Sequence, residues 1–211
     1  MYGLPHPLAV LDNPPPKPVF KKLAKSLVLD YWEQKLRQQV LPLPSLGYLK
    51  AGYCSLNSPH PIAWTAGSNP HEVTKAVVQA KMLSGRYRTA VLTSHWTNKS
   101  SQCPAPGCGY PEETLAHILV FCPYYSETRE KLVRLWLNAD PKVRLIALSI
   151  LIGPPECLIA FILDASNHPH VINLMNSSGS EVLRIIFYLT RTWCYSIHRE
   201  RLKLLKIYNF D

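Results

Sequence analysis

Apolar residues recur at helical spacing in several separate stretches of this chain. Residues 20–40, 126–138 and 180–206 each place apolar side chains three and four positions apart, with charged side chains mostly between them. This spacing predicts amphipathic helices. No stretch alternates strictly between apolar and polar residues, as a half-buried strand would. The pattern therefore predicts a mainly α fold, an irregular bundle of helices.

The C-terminal stretch predicts a helix with one buried face and one charged face, and Ser180 is expected to cap it. The residues expected to be buried are Val182, Ile185, Ile186, Leu189, Trp193 and Ile197. The residues expected to charge the exposed remainder are Arg184, Arg191, Arg199, Arg201, Lys203 and Lys206.

A further helix is predicted to begin after Asn69. The Asn69 side chain can cap it, Pro70 suits its first position, and Glu72 stands where a capping box places a carboxylate. Gly85 is expected to end or bend this helix. The residues predicted to form its apolar face are Val73, Ala76, Val77, Ala80 and Leu83.

Three of the six cysteines stand close together in the stretch CPAPGCGYPEETLAHILVFC. The spacing is Cys103-x4-Cys108-x8-His117-x4-Cys122, and three thiolates with one imidazole are the ligand types and number that close a tetrahedral structural zinc site. Prolines and glycines around the first two cysteines favour a tight turn that lets two sulfurs face one ion. The alternative is three buried thiols beside a core histidine, and a disulfide framework would leave one cysteine unpaired.

The spacing between His117 and Cys122 restricts the backbone. A short helix is predicted over residues 111–121, with acidic residues in its first turn. On an uninterrupted α-helix, residues five apart point about 140° away from each other, so the two side chains could not share an ion. Because the residue before a proline is pushed away from helical angles, Pro123 is expected to open the helix near Cys122 and turn its sulfur back.

These patterns divide the chain into four predicted segments. Residues 1–19 carry six prolines and predict a proline-rich linker. The other three are a helical, basic region over 20–100, a small Cys-Cys-His-Cys zinc knuckle inserted between helices over 101–125, and a C-terminal helical region over 126–211.

Charge indicates an anionic partner. The chain has a formal net charge of +9 and a pI near 9.3, which is typical of proteins that bind nucleic acid. From Val73 to Pro111 it contains no acidic residue. The candidate nucleic-acid contacts in this region are Lys81, Arg86, Tyr87, Arg88, Trp96 and Lys99, which offer cations for phosphate and rings for unpaired bases. Alternatively, Tyr87 and Trp96 belong to the core and the cations form a solvated face. The C-terminal cations Arg199, Arg201, Lys203 and Lys206 are a weaker candidate of the same kind.

Nothing in the sequence indicates export or a membrane span. The first 20 residues lack a basic segment followed by an apolar run, as a secretory signal would have. The longest apolar runs, such as residues 145–153, are far shorter than the roughly 20 residues that cross a bilayer. We therefore expect an intracellular protein, nuclear or cytoplasmic, with reduced cysteines and no membrane partner.

Four motifs carry a resemblance to a known family. LSGRYRTAVLTSHW, CPAPGC, ETLAHILVFCPYY and TREKLVRLW, in this order, resemble the region downstream of the reverse transcriptase domain in non-LTR (LINE-type) retrotransposon polyproteins. The resemblance is closest over about residues 80–137 and looser over 20–79 and 180–205. The gap of four residues between the first two cysteines is wider than the two or three that are commoner in that family.

The resemblance implies a role beside a polymerase. In that family a cysteine-histidine knuckle follows the polymerase thumb and helps bind template RNA or target DNA. It implies that Cys103, Cys108, His117 and Cys122 are metal ligands, that Arg86 and Arg88 contact nucleic acid, and that a reverse transcriptase domain is a partner. The aspartate-bearing polymerase motif itself does not occur in this sequence.

Three functions follow from these observations. The first is a zinc-binding, nucleic-acid-binding module without catalysis of its own, since a closed four-ligand site has no open position for a water. The second is a protein-interaction scaffold whose helices over 20–40 and 180–206 dock onto a polymerase domain. The third is a nuclease, which rests on Asp140-Pro141-Lys142 as the only acid-x-lysine match after the knuckle.

Overall fold

The computed structural model describes residues 10, 14–40, 48, 60–176 and 180–207, and the chain divides at His60 into an N-terminal and a C-terminal unit. The described residues form helices and turns, with no strand among them, which confirms the predicted mainly α fold. Most of the predicted linker and of the connection before residue 60 lies outside the described residues. The four segment boundaries drawn from the sequence therefore stay predictions.

The described part of the N-terminal unit is mainly one helix, α1, at Lys17–Val40. It begins three residues earlier than the sequence predicts. The Lys35 ammonium lies 5.9 Å from the ring centre of Tyr31 and 5.1 Å from that of Trp32, within the range of a cation–π interaction. One face of this helix is thus organised by its own side chains.

The C-terminal unit consists of eight α-helices and three shorter helical turns among its described residues. The α-helices are α2 (Pro61–Trp64), α3 (Pro70–Leu83), α4 (Ala90–Ser94), α5 (Ser126–Leu137), α6 (Pro141–Leu151), α7 (Pro155–Leu163), α8 (Pro169–Asn176) and α9 (Ser180–Ile207). The shorter turns are a π-helix (His117–Phe121) and two 3-10 turns (Pro123–Tyr125 and Ala165–Asn167).

Helix α9 is the central element of the C-terminal unit. It packs against most of the other helices, and above all against α3. Trp193 of α9 lies with its ring centre 5.0 Å from that of Trp136 on α5, and Trp136 lies 5.7 Å from Phe161 on α7. These rings join three helices into one apolar core. Four residues of the predicted buried face of α9 are buried, namely Ile186, Leu189, Trp193 and Ile197.

Two arginines of α9 correct the predicted charged face. Arg191 and Arg201 are buried rather than exposed. Each guanidinium is bonded to a carboxylate from another part of the unit, Glu72 for Arg191 and Glu113 for Arg201. Helical spacing alone assigns both arginines to the polar side, because the acidic partners lie far away in sequence.

The predicted apolar face of α3 is confirmed for Ala76 and Leu83, which are buried, and wrong for the other three residues. Val73 and Val77 are 41% and 47% exposed, and Ala80 is exposed as well. The residues that α3 buries are Lys75, Ala76, Val78, Gln79, Met82 and Leu83. Gln79 explains this rotation: its amide donates to the carbonyls of Ile162 and Leu163 and to the Thr190 hydroxyl, at 2.8, 3.2 and 3.2 Å.

The start of α3 carries a buried charge cluster. Asn69 caps the helix as predicted, accepting hydrogen bonds from the His71 and Glu72 amides. The Glu72 carboxylate instead accepts from Lys75 Nζ at 2.7 Å and Arg191 Nη2 at 3.1 Å, and Arg191 Nη1 also donates to the Thr65 hydroxyl at 2.6 Å. Although burial opposes it, these hydrogen bonds lower the pKa of Glu72 below its usual 4.5. The stabilisation is therefore fully present at neutral pH and is lost as pH falls through the lowered pKa.

Replacing Arg191 with methionine is expected to lower the free energy of unfolding by about 3 kcal/mol, because Glu72 and Thr65 lose a buried partner. The measurement is urea denaturation at pH 7. Arg184→Met is the matched control on the same helix, since Arg184 is exposed and its loss should change the free energy by less than about 0.5 kcal/mol. Equal effects of the two substitutions would contradict the buried role of Arg191.

Candidate metal centre

The four predicted ligands converge in the C-terminal unit. The sulfurs of Cys103, Cys108 and Cys122 and a ring nitrogen of His117 lie within 4.8 Å of one another. Cys122 Sγ is 3.8 Å from Cys103 Sγ and 3.9 Å from Cys108 Sγ, and His117 Nε2 is 3.3 Å from Cys108 Sγ. Within the described ranges, this is the one group of three or more such side chains close enough to share a metal ion.

A tight loop brings the first two cysteines together. The Cys103 amide donates to the Tyr110 carbonyl at 3.0 Å, and the Cys108 amide donates to the Ala105 carbonyl at 3.1 Å. Gly107 and Gly109 have φ angles of 72° and 64°, in the left-handed region that costs glycine little. The loop folds back on itself through these two residues, as the sequence predicts.

A π-helical turn brings His117 and Cys122 together. The Cys122 amide donates to the His117 carbonyl at 2.7 Å. This hydrogen bond between residues five apart defines a π-helical turn, which is wider than an α-helical one. Cys122 itself has extended backbone angles, φ −61° and ψ 120°, directly before Pro123. The predicted opening at Cys122 is therefore confirmed. The π-helical turn at His117–Phe121, which precedes this opening, was not predicted.

The environment of His117 suits a neutral imidazole ligand. Burial lowers the pKa of His117 below its ordinary value, and the neutral ring is the form that binds a metal. The Tyr110 ring stacks on it, with ring centres 4.3 Å apart and planes 13° from parallel. A hydrogen bond from Cys103 lowers the pKa of the Cys122 thiol. Cys122 is thus the more acidic member of that pair.

Glu113 anchors the cysteine segment to the rest of the unit. Its side chain is fully buried, and Arg201 donates to it through Nε at 2.9 Å and Nη2 at 2.7 Å. The Ala90 amide, at the start of α4, donates to the same carboxylate at 2.7 Å. The expected first-turn role of this acid is therefore corrected, because the helical segment begins only at Leu115.

A second bond fixes the π-turn. The Trp193 indole nitrogen donates to the Leu119 carbonyl at 3.3 Å, so α9 holds both ends of the segment between Glu113 and Leu119. Sequence reasoning missed Glu113. Its one signal was that it belongs to the pair Glu112-Glu113 that ends the long acid-free stretch, which gave no hint of a distant arginine.

Most of the candidate nucleic-acid contacts are exposed. Lys81, Arg86, Arg88 and Lys99 are exposed, and Trp96 is 75% exposed. Tyr87 is a correction, because its ring is only 8% exposed and its hydroxyl lies 3.0 Å from His198 Nδ1. Burial raises the pKa of Tyr87 to about 12. Its ring therefore belongs to the core and offers no face to a base.

The C-terminal cations, the weaker candidates for nucleic-acid contact, include both buried and exposed side chains. Arg201 is another correction, since the Glu113 carboxylate holds it inside the unit. Lys203 pairs with Glu200 at 2.8 Å on the surface. Asp140 accepts from the Lys142 amide at 2.9 Å and so caps α6, which gives this acid a structural role.

In the part of the chain that is described, no helix combines the length and apolarity needed to cross a membrane. Comparison with known proteins finds no match: no family model, no curated protein and no solved structure aligns significantly with this chain.

Replacing Glu113 with glutamine is expected to lower the free energy of unfolding by about 3 kcal/mol, because the Arg201 guanidinium keeps its burial and loses its counter-charge. Denaturation of Glu112→Gln provides the control, since Glu112 is the exposed neighbour. In a double-mutant cycle, Glu113→Gln with Arg201→Met should cost less than the sum of the single changes. Strict additivity would show that the two side chains do not depend on each other.

Proposed function

We propose that this chain is a zinc-stapled nucleic-acid-binding module without catalysis of its own. The observation that carries the proposal is the closure of four protein ligands around one point, in a chain whose preceding stretch exposes Lys81, Arg86, Arg88 and Lys99. The ligands support the first half of the proposal and the surface supports the second.

Zinc is the ion that fits the donor set best. Sulfur ligands at about 2.3 Å around a tetrahedral zinc stand about 3.8 Å apart, and the two measured sulfur separations are 3.8 and 3.9 Å. Thiolates and imidazole suit zinc, whereas magnesium and calcium take oxygen ligands. With all four positions filled by Cys103, Cys108, His117 and Cys122, none is left to activate a water. The metal would hold the segment in shape.

Nucleic acid is the anionic partner that we propose. Arg86 and Arg88 lie exposed on either side of buried Tyr87, so both guanidinium groups leave the core toward solvent. Trp96 adds an exposed ring between these arginines and the metal ligands in sequence. Cations with an exposed ring suit a phosphate backbone with unpaired bases. Following the resemblance of the motifs, we further propose that the module works beside a reverse transcriptase domain.

A protein-interaction scaffold is the second candidate. Helix α6 exposes Leu145, Leu148 and Ile152, the last at 83%, and these positions lie on one side of the helix. Of the two helices expected to dock, α9 already packs its apolar face within its own unit, whereas α1 exposes Leu23 and Trp32, at 42% and 43%. Salt separates the two candidates, because phosphate binding weakens steeply as salt rises.

Replacing Cys108 with serine should remove the bound metal and loosen residues 103–122, because the staple loses one of four ligands. The measurements are elemental analysis, with one zinc per chain expected in the unchanged protein, and amide hydrogen exchange over that segment. Cys157→Ser is the matched control, because Cys157 is an exposed cysteine outside the cluster. Helices α3 and α9 should keep their protection. A protein purified without chelator that holds no metal would refute the zinc assignment.

Replacing Arg86 and Arg88 together with alanine should weaken binding to unrelated oligonucleotides about equally, because phosphates carry no sequence information. Each lost phosphate contact should lower the slope of the log–log salt plot by about 0.7 to 0.9, hence by roughly 1.5 for the pair. Fluorescence anisotropy with structured RNA and single-stranded DNA measures both quantities.

The matched control is the double change Lys142→Ala and Arg144→Ala, which removes two exposed cations from α6. It should leave the slope nearly unchanged. A folded, metal-loaded Arg86/Arg88 variant with unaltered affinity and slope would transfer support to the scaffold.

A further inference from the structure

A cavity of about 550 Å³ opens on the C-terminal unit, away from the basic stretch in sequence. Its wall is mostly apolar and comes from the π-turn and from helices α5, α6, α7 and α9. The residues used below are Val120, Arg129, Val133, Leu151, Leu158 and Trp193. This volume is in the range of small-molecule sites, which are mainly apolar with a few placed polar groups.

Arg129 is the polar group that stands out in this wall. Its Nη1 atom is buried and has no hydrogen-bond partner among the residues that the structure describes. A buried donor without a partner is costly, and more so when it is charged. Because Nη1 has almost no accessible surface and Arg129 lines the cavity, a rotation of this side chain is what would present the donor to an anionic oxygen there and remove this cost.

The neighbouring polar groups do not fill this role. Glu130 faces Arg134 on the same helix, with 3.7 Å between Oε2 and Nη2, and both side chains are largely exposed. The Trp193 indole nitrogen already donates to the Leu119 carbonyl. Trp193 therefore contributes apolar surface to the cavity, and Arg129 contributes its unpaired donor.

We propose that this cavity binds a small amphipathic anion, a carboxylate with an apolar tail. The carboxylate accepts a hydrogen bond from the Arg129 guanidinium, turned toward the cavity, and the tail lies against Val133, Leu151 and Leu158. Charge complementarity selects an anion over a neutral molecule, and the apolar wall selects a tail over a bare ion. This inference does not depend on nucleic-acid binding.

A second role for the Arg129 guanidinium has to be separated from anion binding. Burial lowers the pKa of Arg129, and the charge of a Cys122 thiolate opposes that shift. If Arg129 served only as a counter-charge for the metal ligands, its loss would affect metal retention and leave anion binding unchanged. The experiment must therefore record metal content together with ligand affinity.

The test uses isothermal titration calorimetry of the full chain with three probes: octanoate, 1-octanol and acetate. Octanoate should bind about tenfold more tightly than 1-octanol, since a hydrogen bond to a charged group is stronger than a neutral one. Acetate should show no measurable binding, because it lacks the tail. Arg129→Gln should reduce the preference for octanoate over 1-octanol to less than about twofold.

Two further variants keep the test decisive if Arg129→Gln does not fold. Arg134→Gln removes an exposed cation on the same helix, at the rim of the cavity, and should keep the tenfold preference. Val133→Trp fills the cavity and should weaken octanoate and 1-octanol alike. Equal binding of the two long probes to the unchanged protein, or acetate binding as tight as octanoate, would overturn the proposal. So would an octanoate preference that survives in Arg129→Gln, whatever its metal content.

Discussion

The bond between Glu113 and Arg201 is the interaction on which the arrangement of the metal centre depends. A carboxylate with no solvent exposure is tolerated only with strong partners, and here it has two guanidinium hydrogens and the Ala90 amide. It joins the cysteine segment, the start of α4 and the end of α9. The ligands Cys108 and His117 lie on either side of Glu113 in sequence, so this pair fixes the stretch that connects them.

The π-turn shows how the same segment satisfies two requirements at once. The core needs the side chains of Ile118 and Leu119, which are fully buried, while the metal centre needs His117 and Cys122 on a common side. An α-helical turn would meet the first requirement and separate the ligands. The wider turn adds one residue, and the Trp193 bond to Leu119 holds it in place. Core packing therefore supports this uncommon turn together with the ligand geometry.

Features that depend on a few neighbouring residues could be predicted from the sequence. The burial of polar side chains could not, because it depends on partners far away in the chain. The Asn69 cap, the end of α3 near Gly85 and the opening before Pro123 each follow from a few neighbouring residues. The buried face of α3 does not, because Gln79 is a polar side chain whose partners lie on α7 and α9, and Lys75 reaches Thr192 on α9 besides Glu72 on its own helix. The predicted exposure of Arg191 and Arg201 was wrong for the same reason. The convergence of the four metal ligands was predictable because their residue types and spacing state the chemistry directly, whereas Glu113 belongs to no motif.

The placement of charge links this interior to the basic surface. Among the described residues, the cations taken into the interior are Lys75, Arg191 and Arg201, and the acids beside or within it are Glu72, Glu113 and Asp164. Three charges of each sign cancel, so the net charge of +9 stays with the rest of the chain, where solvent and partners meet it. The buried ion pairs therefore organise the fold without lowering the net positive charge that solvent and partners meet. A solvated surface with this excess of cations attracts anions over roughly a Debye length. Glu113, whose carboxylate accepts from the Ala90 amide two residues after Arg88, is already paired with Arg201 and therefore reduces that attraction little.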